Sequence, residues 1–215
     1  MKYSKVVLLY LFLLSSSLFS SSINVKALNN SLQNMQCQEV INHKSPFFKM
    51  IKKYNTYTKS KYNRYLQTKD THKKIYQKLK HHHIPSFFSL IPYHESGFNP
   101  KIKNNGTAGL WQLSVQSGKF FGLTINKKKD ERLDINRSTD AAIQYFIYLK
   151  KKYYKWYLVD FAYGMGEKRL DTLIAKNKTD KFSTLIMDST FPKGMKSHFI
   201  KILLLDARIF HHHLD

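Results

Sequence analysis

The apolar and polar residues of this chain are arranged at the spacing of α-helices. In segments such as Ala141–Leu149, apolar side chains recur three or four positions apart, which places them on one helix face. Runs in which β-branched and polar residues alternate, as in half-buried strands, are nearly absent. We therefore predict an all-α fold, in which any β-structure is limited to a minor hairpin.

The same pattern predicts four sections along the 215 residues. Residues 1–27 form a signal segment, and residues 28–80 form a basic, Tyr-rich helical arm with amphipathic spacing. Residues 81–180 contain most of the motif-like stretches, so we expect the catalytic domain there. Residues 181–215 include the apolar run Lys201–Phe210, which predicts a C-terminal helical extension.

The first section has the pattern of a secretory signal peptide. Lys2 and Lys5 precede the apolar run Val6–Leu14, and Val25–Ala27 places small residues at a suitable cleavage position. The run is too short for a good membrane span, although an uncleaved N-terminal anchor is the alternative. We therefore expect an exported protein of the periplasm or cell envelope.

The chain is strongly basic, with 36 Lys and Arg against 14 Asp and Glu and a formal net charge of +22. This excess favours a self-repelling monomer and anionic partners such as nucleic acid, acidic glycans or a membrane surface. Lysines that only solvate helix faces would give the same charge. Cys37 is the one cysteine, so no internal disulfide can form and the fold depends on a packed core.

Two runs of three histidines, His81–His83 and His211–His213, raise the question of a metal site. Adjacent residues on a helix point in different directions, and no companion ligand stands at the spacing of known zinc motifs. Solvated or capping histidines explain both runs. We therefore expect no metal and no cofactor.

Glu95 is the candidate catalytic residue, and it is one of only four Glu in the chain. In the segment IPYHESGFNP it follows the apolar stretch Phe87–Tyr93 and precedes Gly97 and Pro100. A carboxyl acts as a general acid near neutral pH when burial raises its pKa, and the apolar stretch would supply that burial. A Glu at a helix end also commonly caps or forms an ion pair, so Glu95 alone does not identify a site.

Two further stretches contain residues suited to binding a sugar. In GTAGLWQL, the glycines permit close approach of the backbone, and Trp111 can pack or stack on a ring. Gln112 can both donate and accept hydrogen bonds, as a sugar hydroxyl or acetamide requires. In FAYGMG, Tyr163 can place a phenol near the acid.

Taken together, these stretches resemble a known family. HESGFNP, GTAGLWQL, DERLD followed by STDAA, and AYGMG are similar, in order and spacing, to the motifs of the soluble lytic transglycosylase domain. They most resemble the membrane-bound lytic murein transglycosylase D branch. The resemblance covers about Pro85–Lys176, and it is specific because several motifs agree at once.

The resemblance implies a lysozyme-like helical fold and cleavage of the β-1,4 bond between N-acetylmuramic acid and N-acetylglucosamine in peptidoglycan. Glu95 matches the family's single catalytic acid, which would protonate the glycosidic oxygen. It would then act as a base on the muramyl C6 hydroxyl, whose attack on C1 leaves a 1,6-anhydromuramyl end. The residues that match the family's substrate groove are Ser96, Leu110, Trp111, Gln112 and Tyr163.

One motif departs from the family, which has Asn where this chain has Gly164; the change removes a polar contact. A goose-type lysozyme-like hydrolase is one alternative, with Asp130, Asp134 or Asp160 holding the attacking water. A catalytically weak peptidoglycan-binding or assembly protein is another. A nucleic-acid-binding module explains the charge but neither the signal peptide nor the motifs. We therefore expect peptidoglycan strands as the partner, with cell-envelope machinery as a further candidate and no nucleic acid.

Overall fold

A computed structural model describes residues 24–40 and 45–210. Most of the predicted signal segment and His211–His213 lie outside the described residues. Within them, no helix is both long and apolar enough to cross a bilayer. The α-helices are α1 Val25–Asn34, α2 Pro46–Leu66, α3 Lys69–His81, α4 Ile91–Ser96, α5 Val115–Phe120, α6 Ile135–Tyr153, α7 Trp156–Met165, α8 Glu167–Asn177, α9 Phe182–Met187 and α10 Lys193–Phe210. Short 3-10 helices occupy Gln38–Val40, Ser86–Leu90 and Glu131–Leu133.

The prediction of an all-α fold with a minor β-element is confirmed. The strands β1 Lys103–Asn104, β2 Thr107–Ala108 and β3 Leu113–Ser114 form one small antiparallel sheet. The buried guanidinium of Arg132 stabilises this sheet by donating hydrogen bonds to Leu113 O at 3.1 Å and to Gly106 O at 3.0 Å. The sheet therefore fixes the loop that carries GTAGLWQL.

The described part of the N-terminal arm is helical, as predicted, and packs on the core. Side chains of Asn24 and Ser45 cap α1 and α2 by accepting hydrogen bonds from Ala27 N at 2.9 Å and Phe48 N at 3.2 Å. The apolar face of α2 points inward, and Ile51 has no exposed surface. The predicted cleavage position after Ala27 falls inside α1.

Helix α10 lies at the centre of the core and contacts α1, α2, α7 and the Ser86–Leu90 turn. The Phe199 ring lies 5.3 Å from that of Phe87 and 5.5 Å from that of Phe161, and burying one such ring contributes about 1.5–3 kcal/mol. Asp206 accepts hydrogen bonds from Ser31 Oγ at 2.7 Å and Ser86 Oγ at 2.6 Å. The C-terminal helix therefore shares one core with the motif-bearing section.

The apolar stretch before Glu95 is not the single helix that its composition predicts. Residues Ser86–Leu90 form a 3-10 helix, and α4 begins only at Ile91. The reason is Pro92, which lacks an N–H and is tolerated only in the first turn of a helix.

In the motif STDAA, Ser138 stands just before the apolar positions of α6, which predicts Ser138 as the N-cap; this prediction is wrong. Helix α6 starts one turn earlier, where the Asp134 side chain accepts a hydrogen bond from Arg137 N at 2.8 Å. Ser138 is buried inside the helix, and its hydroxyl donates to Asp134 O at 2.5 Å. Asp is as good a cap as Ser, so composition alone did not separate the two positions.

Candidate active site

Helix α4 places Glu95 next to a cleft, whose lining includes the neighbouring His94 and Gly97. The helix ends at Gly97, whose φ of 62° lies in the left-handed region that glycine adopts at little cost. Gly97 N donates to Tyr93 O at 3.1 Å, and Phe98 N donates to Pro92 O at 3.2 Å, which closes the last turn. One third of the Glu95 side chain (33%) stays exposed.

The backbone of Leu110 and Trp111 accepts hydrogen bonds from two of the predicted site residues. Ser96 Oγ donates to Leu110 O at 3.0 Å, from the turn of α4 next to Glu95. From α7, the Tyr163 hydroxyl donates to Trp111 O at 2.5 Å. Burial raises the pKa of Tyr163, and the nearby Glu95 charge raises it further. The structure therefore brings Ser96, Tyr163 and Glu95 to one place.

The side chains of Leu110 and Trp111 face the core. Leu110 has no exposed surface, and Trp111 is 1% exposed. The Trp111 indole Nε1 donates to Thr139 Oγ1 at 3.0 Å, and its ring lies 5.6 Å from that of Phe146. Of the two roles considered for Trp111, packing is the observed one. These two residues contact Ser96 and Tyr163 through their backbone carbonyls.

Gln112 uses its side chain inside the small sheet. Its Oε1 accepts from Thr107 Oγ1 at 2.7 Å, and its Nε2 donates to Gly109 O at 2.8 Å. Its φ of 47° is unusual for a residue other than glycine. The amide therefore fixes the shape of the loop, and one face of the side chain remains half-exposed.

A row of aromatic rings runs from Tyr163 to the surface. The ring of Tyr145 lies 5.5 Å from that of Tyr163 and stacks at 4.8 Å on Phe121. Phe120, next to Phe121, is 72% exposed, and Tyr148 lies beside both. Exposed apolar patches often mark interaction sites, so this row is a candidate for contact with a substrate.

Two histidines contact Glu95. His94 Nδ1 lies 3.6 Å from Glu95 Oε1, and His198 Nδ1, from α10, lies 3.4 Å from the same oxygen. The two imidazole Nδ1 atoms are 3.1 Å apart. On its other side, His198 Nε2 lies 3.3 Å from Asp160 Oδ1 of α7. The fully buried Asp160 thus holds His198 against Glu95.

This cluster reverses the electrostatics expected from the sequence. Burial raises the pKa of Glu95, but hydrogen bonds and positive charge from His198 and His94 outweigh it and lower the pKa to about 2. Burial lowers the pKa of His198, but Asp160 and Glu95 outweigh it and raise the pKa to about 9. Burial thus acts in the expected direction, but the expectation that the pKa of Glu95 is raised overall is wrong. At rest Glu95 is a carboxylate beside a protonated His198.

The three aspartates considered for a water-holding role have other partners. Asp130 forms an ion pair with Arg132 at 2.8 Å, and Asp134 caps α6. Asp160 has no exposed surface and faces His198. Among the described residues, none of these three aspartates forms a hydrogen bond with Glu95.

Sequence reasoning did not identify His94 and His198 as site residues, and it considered Asp160 only as a water-holding residue of the hydrolase alternative. A signal was present for Asp160 and His198, since each is a polar residue inside an apolar helical run, VDFA and HFIKILLL. Buried polar groups of this kind need a partner, but the sequence does not say which.

Gly164, the departure from the family motif, lies under the C-terminal helix. A Cβ added to Gly164 would lie 2.4 Å from Met195 Sδ and 3.1 Å from Met195 Cε. Met195 is buried. The methionine therefore occupies the space that an Asn side chain at residue 164 would enter.

Comparison with known proteins agrees with the motif resemblance. The family model described as the transglycosylase SLT domain matches residues 72–186, more than half of the chain. Membrane-bound lytic murein transglycosylase D of Escherichia coli (strain K12) is 32% identical over 129 residues, which are 59% of this chain and 28% of that protein. A protein of Alteromonas sp. (strain M-1), named for tributyltin chloride resistance, is 34% identical over 110 residues, which are 49% of this chain and 53% of that protein. The chain thus spans little more than a quarter of the length of its E. coli relative.

Proposed function

Because this chain belongs to the transglycosylase SLT domain family, we propose that it is a peptidoglycan lytic transglycosylase. It cleaves the β-1,4 bond between N-acetylmuramic acid and N-acetylglucosamine without water and leaves 1,6-anhydromuramyl ends. The observation that carries the proposal is the position of Glu95. A partly exposed carboxylate stands next to a cleft, and Ser96 and Tyr163 converge on the Leu110–Trp111 backbone nearby.

Glu95 acts twice in the proposed reaction. As an acid it gives a proton to the glycosidic oxygen while the bond from C1 to that oxygen breaks. As a base it then takes the proton of the muramyl C6 hydroxyl, whose oxygen bonds to C1. Ordinary glycosidases use two carboxylates, whereas here the substrate's own 2-acetamido group stabilises the positive charge at C1.

The resting carboxylate needs a proton before the first step. The protonated His198, whose Nδ1 lies 3.4 Å from Glu95 Oε1, can supply it. A bound sugar would displace water from the cleft, and loss of solvent disfavours separated charges. The proton therefore shifts toward Glu95 when the substrate covers the pair.

Two surfaces near Glu95 suit a glycan strand that carries peptides. The aromatic row from Tyr163 to Phe120 offers rings for the apolar faces of sugars. On the other side, a cavity of about 250 Å³ beside His94 is lined by Lys61, Arg64 and Lys201. These cations would attract lactyl and peptide carboxylates, as would the net charge of +22.

The proposal includes the location and the organisation of the chain. We propose that residues 1–27 direct export of the protein to the cell envelope. We also propose that residues 81–180 form the catalytic section. Isolated peptidoglycan should hold the protein less tightly at high salt, because exposed charges are screened.

Digestion of purified peptidoglycan sacculi tests the reaction. We expect the wild-type chain to release muropeptides with anhydro ends and Glu95→Gln to release almost none. Glu39→Gln is the matched control, since Glu39 is exposed and lies in the N-terminal arm. Mass spectrometry separates the reactions, because a goose-type hydrolase leaves ends heavier by one water. Equal activity of Glu95→Gln, or hydrolysed ends, contradicts the proposal.

A further inference from the structure

One side-chain atom from each of His94, Glu95 and His198 lies at a spacing that suits the ligands of one metal ion. The pairs His94 Nδ1–His198 Nδ1, His198 Nδ1–Glu95 Oε1 and His94 Nδ1–Glu95 Oε1 are 3.1, 3.4 and 3.6 Å apart. Hydrogen bonds from N–H to O are usually about 2.7–3.2 Å long, so the two hydrogen bonds to the carboxylate are stretched beyond the usual length. The three atoms all lie within 4.8 Å of one another, and among the described residues they are a group that could hold a metal ion.

A second, independent feature stands behind one of these atoms. His198 turns its other nitrogen, Nε2, to Asp160 Oδ1 at 3.3 Å. Metal-bound histidines almost always donate the free ring N–H to a carboxylate or carbonyl, which fixes the tautomer and aims the other nitrogen at the metal. Asp160 is fully buried, and its Oδ2 has no hydrogen-bond partner within the described part of the chain. A buried carboxylate of this kind is costly unless it orients a positive group.

We propose that His94, Glu95 and His198 bind one Zn²⁺ ion or a similar borderline divalent cation, and that this ion blocks the acid chemistry of Glu95. The metal site stands on the geometry alone, whereas the block rests on the proposed function.

The ligand types and spacing favour zinc over harder cations. Two imidazoles and one carboxylate suit zinc, while magnesium and calcium prefer sites made of oxygen. Bonds of about 2.0–2.1 Å place tetrahedral ligands about 3.4 Å apart and neighbouring octahedral ligands about 3.0 Å apart. The mean of the three observed spacings lies near the tetrahedral value. His94 and Glu95 are partly exposed, so water can take the fourth position.

The bound ion and the acid proton compete for the same place. A ligand must be deprotonated to bind zinc, so metal binding releases protons. With Glu95 Oε1 on the metal and His198 Nδ1 beside it, neither atom can hold the proton that the glycosidic oxygen needs. The ion also fills the space next to Glu95 that the sugar oxygen must enter. Zinc therefore holds the enzyme in an inactive state that a chelator reverses.

Zinc titration against a chromophoric chelator tests the site without any activity assay. A background variant with His81–His83 and His211–His213 changed to Gln removes the two histidine runs. We expect this background to bind one zinc per chain. We expect Asp160→Asn to weaken binding by about 10- to 100-fold and His198→Gln or His94→Gln to weaken it further. Cobalt bound in place of zinc should show the strong visible absorption of tetrahedral coordination.

The same titration can overturn the site. Zinc binding that survives His94→Gln and His198→Gln in this background would place the ion at other residues. Binding that disappears in the background itself would assign the metal to the histidine runs. Absence of binding would remove the site altogether. His198 is buried, so circular dichroism must show that His198→Gln is folded; His94→Gln, at a partly exposed residue, repeats the test with less risk to folding.

Sacculus digestion then tests the block. We expect zinc to stop digestion by the wild-type chain and a chelator to restore it, while any activity left in His94→Gln no longer responds to zinc. Bound zinc without any change in digestion would refute the block and leave the site. If the metal-free wild type digests nothing, the block falls with the proposed function, and the titration still decides the metal site.

Discussion

Replacing Gly164 with Ala should lower the free energy of unfolding when Met195 is present. The same replacement should raise it when Met195 is changed to Ala. Gly164 lies inside helix α7, where Ala is normally better than Gly by about 0.5–1 kcal/mol. The added Cβ would, however, stand 2.4 Å from Met195 Sδ and 3.1 Å from Met195 Cε. In the wild-type background the new methyl group must displace a buried side chain.

The magnitude follows from these two effects. Overpacking a core costs about 1–3 kcal/mol, and the flexible thioether of Met195 keeps the cost toward the lower end. Gly164→Ala alone should therefore lower the free energy of unfolding by about 0–2 kcal/mol, once the helix gain is subtracted. In a Met195→Ala background the obstacle is gone, and the same change should raise it by up to about 1 kcal/mol.

Urea denaturation of the four proteins in this double-mutant cycle measures the coupling. We expect a coupling energy of about 1–3 kcal/mol, well above the 0.3–0.5 kcal/mol within which distant sites add. A Gly164→Ala effect of the same sign and size in both backgrounds would refute the contact. It would also refute the explanation that Met195 occupies the space of the family's Asn.

Two further predictions concern the effect on stability of residues that lie away from Glu95. His72 is buried between the Tyr65 hydroxyl at 2.6 Å and Ser89 Oγ at 2.8 Å, and burial lowers its pKa from 6.5 to about 4. The unfolded chain thus binds a proton that the folded chain refuses, so stability should fall by up to about 3 kcal/mol as pH drops from about 6.5 to about 4. Urea unfolding at several pH values should show a shallower loss in His72→Gln, and an unchanged loss would contradict the assignment. Gly109→Ala would place a Cβ 1.7 Å from Arg132 O at a φ of +80°, whereas Gly106→Ala, at +86°, meets nothing within 4 Å. Thermal unfolding should therefore show a loss of about 1–2 kcal/mol for Gly106→Ala and a much larger loss, or no folded protein, for Gly109→Ala; equal losses would contradict the close approach.

The helical fold could be predicted because its cause is local. Apolar spacing in segments such as α6 and α10 fixes one buried face for each helix, whatever its neighbours are. The 3-10 turn at Ser86–Leu90 and the start of α6 at Asp134 were missed because apolar spacing does not decide where a helix begins. Pro92 is tolerated only in the first turn of α4, and Asp134 and Ser138 are equally acceptable caps.

The candidate site also contains residues that sequence motifs predict and residues that only the packing of the helices brings together. Ser96, Trp111 and Tyr163 belong to motifs, so their meeting near Glu95 was expected, although the contacts run through backbone carbonyls that sequence patterns do not show. His198 lies 104 residues beyond His94 and in no motif, and only the packing of α10 against α4 and α7 brings it to the acid. That one contact changes the chemistry of Glu95 from a neutral acid in an apolar pocket to a carboxylate held by imidazoles. The apolar residues before Glu95 predict the helix, but the charge on Glu95 is set by a helix at the other end of the chain.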